Sequence, residues 1–178
     1  MPRAHADAPL PAWQRLDLRL CELFHDGCRR ELRALFRWIG RLGRGPAWYG
    51  LALMLLAFHG ETAAVPVLRM LVMGGLGSAL YKWLKTRLAR PRPFRRSEAL
   101  ATEPPPPEEF SFPSGHTLHA VLHTVLAGAC FPWTLWLLVP FTLLTAASRV
   151  ALGLHYPTDV VAGAVLGGAL ASLALWLI

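Results

Sequence analysis

The chain has 178 residues, 54% of them hydrophobic, a formal net charge of +7 and three cysteines. Its mean hydropathy of +0.38 exceeds that of an ordinary water-soluble domain. The basic residues flank long apolar runs, which excludes a nucleic-acid-binding module and a disulfide scaffold and leaves a one-domain polytopic membrane protein, with anionic lipid or a phosphorylated substrate as the partner of the positive charge.

Residues 1–45 carry nine of the eighteen Lys and Arg and read as an amphipathic segment ahead of the membrane domain. Two helices are predicted within 10–44. Trp13, Leu16, Leu20, Leu23 and Phe24 share one face, Gly27 interrupts, and Leu32, Leu35, Phe36 and Ile39 repeat the spacing. Arginines fill the opposite faces, the pattern of helices lying in a membrane interface, the alternative being that they pack against the protein's own cytosolic surface. Cys21 and Cys28 are expected to share a helix face as packing residues, and His5 and His25 to lie in a polar tail. The first forty residues hold no continuous apolar core of a signal peptide.

Five spanning segments are predicted next, at 45–60, 63–83, 116–131, 133–148 and 158–178. The shorter ones must borrow flanking residues or tilt little. Trp48, Tyr49, Tyr81, Trp83, Trp133, Tyr156 and Trp176 fall near span ends, as an aromatic belt would. Gly74, Gly75, Gly77 and Ser78, then Gly163, Gly167 and Gly168, are spaced for close approach of helix backbones. ATEPPPPEEF at 101–110 reads as a stiff acidic connector, either a plain spacer or a cover for a site entrance.

In an antiparallel bundle, the span ends near Lys85, His116, Arg149 and His155 meet at one membrane face. Lys85, Arg92 and Arg149 are three cations able to hold phosphate oxygens and the charge of a phosphoryl group in flight. Pro91 and Pro93 stop the helix so that Arg92 can turn inward. Ser114 and Gly115 precede a helix start, where free N–H groups bind anions. His116, on that first turn, can protonate a leaving oxygen. His155 offers a nucleophilic imidazole nitrogen, and Asp159, one turn on, can accept from the other nitrogen and fix the tautomer. His116, His119 and His123 also share a helix face and could be read as metal ligands, but no carboxylate accompanies them.

Lys85-x6-Arg92-Pro93, then Pro113-Ser114-Gly115-His116, then Ser148-Arg149-x5-His155-x3-Asp159 resemble the three signature motifs of the type 2 phosphatidic acid phosphatase (PAP2) superfamily, which includes lipid phosphatases and vanadium haloperoxidases. The resemblance spans roughly residues 46–178, the membrane catalytic domain, and leaves 1–45 outside it. It implies an all-α membrane helix bundle of the PAP2/haloperoxidase type with five to six spans. It also implies that Lys85, Arg92, Ser114, Gly115 and Arg149 bind phosphate, His155 forms a phosphohistidine, His116 is the general acid and Asp159 orients His155, with no metal or other cofactor. The implied activity is hydrolysis of a lipid phosphomonoester or diphosphate. Undecaprenyl diphosphate comes first by family analogy, followed by phosphatidic acid and phosphatidylglycerol phosphate. The alternatives are a vanadate-dependent haloperoxidase, against which the spans weigh, and a non-catalytic lipid-binding protein, against which the complete motif set weighs.

The expected location is a bacterial-type inner membrane. With five spans, the N-terminal segment and the motif-bearing face share a side that holds every Lys and Arg except Arg69. The positive-inside rule makes that side cytoplasmic. A sixth crossing within 28–44 would move the motifs outside.

Overall fold

The computed structural model describes residues 11–100 and 108–177. The predicted acidic connector falls largely outside these residues; only its last three, Glu108 to Phe110, are described. The described residues fold into α1 (Ala12–Asp26), α2 (Arg30–Gly43), α3 (Pro46–His59), α4 (Ala64–Leu88), α5 (Gly115–Cys130), α6 (Leu135–Ala151) and α7 (Pro157–Trp176), with no β-strand among them. Proline punctuates the chain as its ring demands. Pro46 and Pro157 occupy first helical turns, where the missing N–H has no partner to lose. Helix α4 stops at Ala89, which takes the left-handed conformation at φ 45° just ahead of Pro91.

Three stretches are long and apolar enough to cross a membrane: Pro46–Leu88, Pro132–Ala151 and Pro157–Trp176. The first is a hairpin. Gly60 turns the chain at φ +56°, and Trp48 and Ala52 then face Gly74 and Met70 across a cavity. The predicted spans at 45–60 and 116–131 form α3 and α5, of 14 and 16 residues, below the roughly 20 that cross a bilayer unaided. Helix α5 lies at the centre, packed on α4, α6 and α7. Its length answers to protein neighbours more than to bilayer thickness.

Leu55, Met70, Leu122, Leu126, Leu138 and Ala171 form the core between these helices. Outside, Phe58, Trp136 and Trp176 are 77%, 89% and 80% exposed. So apolar an exterior is stable against lipid and not against water. Close helix approach uses some of the small residues and not others. A Cβ on Gly163 would lie 2.5 Å from the Ser114 carbonyl oxygen, and one on Gly167 2.4 Å from that of Leu118. Gly75 and Gly168 face open space. Trp48 and Tyr156 are buried within the protein and leave the aromatic belt to Tyr49, Trp83, Trp133 and Trp176.

The N-terminal helices leave most of their apolar residues outward and dock their other faces on the protein. In α1 the buried stripe is Asp17, Cys21 and His25, while Trp13, Leu16, Leu23 and Phe24 point outward. The polar stripe is satisfied on the protein: Cys21 Sγ donates to the His155 carbonyl at 3.3 Å, and His25 Nδ1 bonds the Ala151 carbonyl at 2.9 Å. His25 is therefore no tail residue. Cys28 lies in the turn after α1, so the two cysteines do not share a helix. Helix α2 likewise exposes Leu32, Leu35, Trp38 and Leu42 and buries Ile39, Gly40 and Gly43. Both helices are amphipathic, with an apolar face left exposed.

Candidate active site

All three motifs reach one end of the bundle. The last turn of α4 delivers Lys85, 5% exposed, and the extended backbone between Pro91 and Pro93 turns Arg92 inward until it is 2% exposed. Ser114 caps α5: its Oγ accepts from the Thr117 N–H at 3.4 Å, leaving the first helical N–H groups at the site. The Ser114 N–H itself donates to the Asp159 carbonyl at 3.0 Å. That bond ties the second motif to the third, and the close packing at Gly163 and Gly167 maintains it.

The third motif is a compact reversal between α6 and α7. The Arg149 carbonyl accepts from the N–H groups of Leu154 and His155, at 3.0 and 3.1 Å, around Gly153 at φ +65°. The Arg149 guanidinium, with Nε bonded to Ser148 Oγ at 3.0 Å, lies against Gly40 of α2. A Cβ at Gly40 would sit 1.9 Å from Arg149 Nη2, so any larger residue here would have to move the guanidinium. His155 is 2% exposed, and burial pushes its imidazole down to about 4, with the neighbouring Asp159 opposing the shift. Asp159 Oδ2 accepts from the Tyr156 N–H at 2.9 Å and faces His155 Nδ1 at 3.6 Å, longer than a hydrogen bond. Among the described residues Nδ1 has no hydrogen-bond partner.

A cavity of about 320 Å³ is lined by Arg92, Glu108, Gly115, His116, Arg149 and His155. Lys85, Ser114 and Asp159 stand behind this lining. Arg92 Nη1 approaches His155 Nε2 at 3.5 Å while donating to the Leu154 carbonyl at 2.8 Å. His116 Nε2 bonds the Gly40 carbonyl at 3.2 Å. The cations meet a carboxylate that the spacer reading missed: Glu108 pairs with Lys85 and, at 3.3 Å, with Arg92 Nη2. Burial raises the Glu108 carboxyl, but the Lys85 ammonium and the Arg92 guanidinium outweigh it and hold the group below its ordinary 4.5. A carboxylate thus already pairs with two of the three motif cations.

Three further residues escaped the motif reading. Gly40 contacts both His116 and Arg149, and Asp17 and Arg90 stand behind Asp159. Nothing in a single sequence joins residues so far apart, although an acidic residue alone on a helix stripe is a signal that it has a partner. Of the histidine series, His116 faces the cavity, His119 Nε2 bonds Ser78 Oγ at 3.0 Å, and His123 stacks between His119 and Trp48. Among the described residues no three of His, Cys, Asp and Glu form a metal-binding group.

Comparison with known proteins places this geometry in a family context. Residues 66–178 match the model of the PAP2 superfamily. The chain is 30% identical over 142 residues to an undecaprenyl-diphosphatase of Sulfolobus acidocaldarius, a match covering 76% of this chain and 66% of that one. It is 29% identical over 142 residues to phosphatidylglycerophosphatase B of Escherichia coli, covering 57% and 56%. Neither match reaches two thirds of the relative's length. The crystal structure of a transmembrane PAP2 type phosphatidylglycerolphosphate phosphatase from Bacillus subtilis superposes with a TM-score of 0.77 at 26% identity, over 94% of this chain and 87% of that one.

Proposed function

The chain belongs to the PAP2 superfamily, and on that footing we propose that it is an integral-membrane phosphatase that removes phosphate from a lipid phosphomonoester or diphosphate through a phosphohistidine on His155. The observation that carries this reading is a buried imidazole at the wall of a cavity whose walls also include Arg92, Arg149 and His116. A second cavity, of about 230 Å³ and lined by Trp48, Tyr49, Ala52, Met70 and Leu71, shares Arg44, Ser78 and His119 with the first. A phosphate head and an apolar tail fit this pair of spaces.

The tautomers suit the chemistry. Arg92 can only donate, so it faces an unprotonated Nε2 on His155, and the ring proton is on Nδ1 towards Asp159. The Gly40 carbonyl can only accept, so Nε2 of His116 carries a proton. The His155 Nε2 lone pair forms the N–P bond as the P–O bond to the lipid breaks. The departing oxygen takes the proton that His116, as imidazolium, carries on Nδ1, the nitrogen that the Gly40 carbonyl does not engage, and the ring is left neutral. Water then attacks phosphorus, His116 receives its proton, and the N–P bond breaks to release phosphate. Lys85, Arg92, Arg149 and the N–H groups at the start of α5 offset the charge on the transferring group. These groups supply that charge themselves, so activity is expected to persist in EDTA.

Among substrates, undecaprenyl diphosphate is proposed first, supported by the relative of that name, and phosphatidylglycerol phosphate and phosphatidic acid next. Phosphate release from these three lipids in detergent micelles tests the reading. The parent protein should turn over at least one, and His155→Ala should release none. Appreciable turnover by His155→Ala refutes the nucleophile assignment.

A further inference from the structure

Asp17, on the segment ahead of residues 66–178, is 3% exposed. Its Oδ2 accepts from Arg90 Nη2 at 2.6 Å and from the Thr158 hydroxyl, and its Oδ1 accepts from the Thr158 N–H at 3.1 Å. The other arm of Arg90, Nη1, donates to Asp159 Oδ1 at 2.6 Å and to Thr158 Oγ1 at 2.8 Å. The guanidinium lies 3.8 Å from the Tyr156 ring centroid, a stacking that fixes its plane. One cation is therefore shared by two buried carboxylates, one on α1 and one beside the nucleophile.

We propose that Asp17 is a positioning residue for the reaction, acting through Arg90 on Asp159 and so on His155. The inference rests on the phosphohistidine reading above. Arg90 paired with Asp159 alone would neutralise it. By taking half of that guanidinium, Asp17 leaves Asp159 the charge that attracts the Nδ1 proton of His155. The hydrogen bonds of Cys21 and His25 to the carbonyls of His155 and Ala151 hold α1 in register for this task. The N-terminal helix is thus a working part of the catalytic dyad as well as a membrane-facing element.

The test uses the full chain and four forms: parent, Asp17→Asn, Asp159→Asn and the double variant. Asn is isosteric and its amide oxygen can still accept from Thr158. Asp17→Asn is expected to lower kcat about ten- to hundredfold with KM within roughly twofold. In the Asp159→Asn background the same change should have no further effect on kcat. Equal loss of kcat in both backgrounds, or an unchanged kcat, overturns the proposal. ¹⁵N NMR of histidine-labelled protein supplies a readout free of turnover: the His155 Nδ1–H tautomer of the parent should give way to a mixture in Asp17→Asn. An Asp17-dependent tautomer in a parent that hydrolyses no lipid phosphate would refute the phosphatase reading and leave the relay standing. An active parent whose tautomer ignores Asp17 would refute the relay alone.

Discussion

The burial of His155, the proposed nucleophile, makes it a pH-sensitive element of the fold. A histidine in the unfolded chain titrates near 6.5, whereas burial holds His155 near 4. As pH falls, the unfolded state binds the proton first. The stability tied to a neutral His155 is therefore complete above pH 6.5 and is lost progressively down to pH 4, on the order of 3 kcal/mol in all. Thermal unfolding in detergent should show a midpoint that drops across that window, with a shallower drop in His155→Gln; identical slopes would mean the ring is not held neutral. Glu108 tests the cradle. Its carboxylate competes with substrate phosphate for Lys85 and Arg92, but it is 45% exposed, so its pairing is screened. The competition is worth about 1 kcal/mol, or roughly fivefold in affinity. Glu108→Gln should lower the inhibition constant of inorganic vanadate by about that factor, and an unchanged or higher constant would show that Glu108 does not occupy the phosphate position.

The contact between α5 and α7, the most extensive between any two helices here, joins catalytic motifs across a glycine seam. A methyl at Gly163 cannot fit 2.5 Å from the Ser114 oxygen without pushing α7 away, and overpacking of this kind costs about 2 kcal/mol. The same shift loosens the Ser114 to Asp159 backbone bond, so Gly163→Ala should lose activity by about a hundredfold. Gly168→Ala, facing open space, should change neither activity nor thermal midpoint. Similar losses in both would mean the seam does not matter. Helical spacing made the small residues legible but could not separate Gly167 from Gly168, because neighbours on a helix point only about 100° apart and the spacing does not say which direction meets α5. It likewise gave α1 its two faces without saying which one meets protein. Asp17, Cys21 and His25 go inward because their partners, Arg90 and the carbonyls around His155, lie on another part of the chain. The gathering of the three motifs at one end could be read directly, since their residues stand at fixed local spacings near span ends. Gly40, Asp17, Arg90 and Glu108 act only through contacts distant in sequence, and local spacing is silent about them.

At the scale of the whole molecule, the open matter of function is which side of the membrane meets the substrate. Helices α1 and α2 dock on the motif-bearing end through Asp17, Cys21, His25 and Gly40, which keeps the N-terminal arginines on the catalytic side. Helix α4, about 37 Å long by its 25 residues, separates that end from the turn at Gly60–Ala63. Among the described residues every Lys and Arg other than Arg69 then gathers on one side, a bias that favours a cytoplasmic catalytic face. Three of those cations are assigned to the proposed chemistry and Arg44 lines the same cavity, but the seven arginines from Arg15 to Arg41 lie outside that lining and carry the inference on their own. A membrane-impermeant maleimide applied to cells carrying Glu98→Cys or Thr62→Cys, each compared with the parent and its three native cysteines, reads the orientation. Thr62→Cys should label in intact cells, and Glu98→Cys only after permeabilisation. The reverse pattern would place the active site on the outer face, where it would meet lipid phosphates after their transfer across the bilayer.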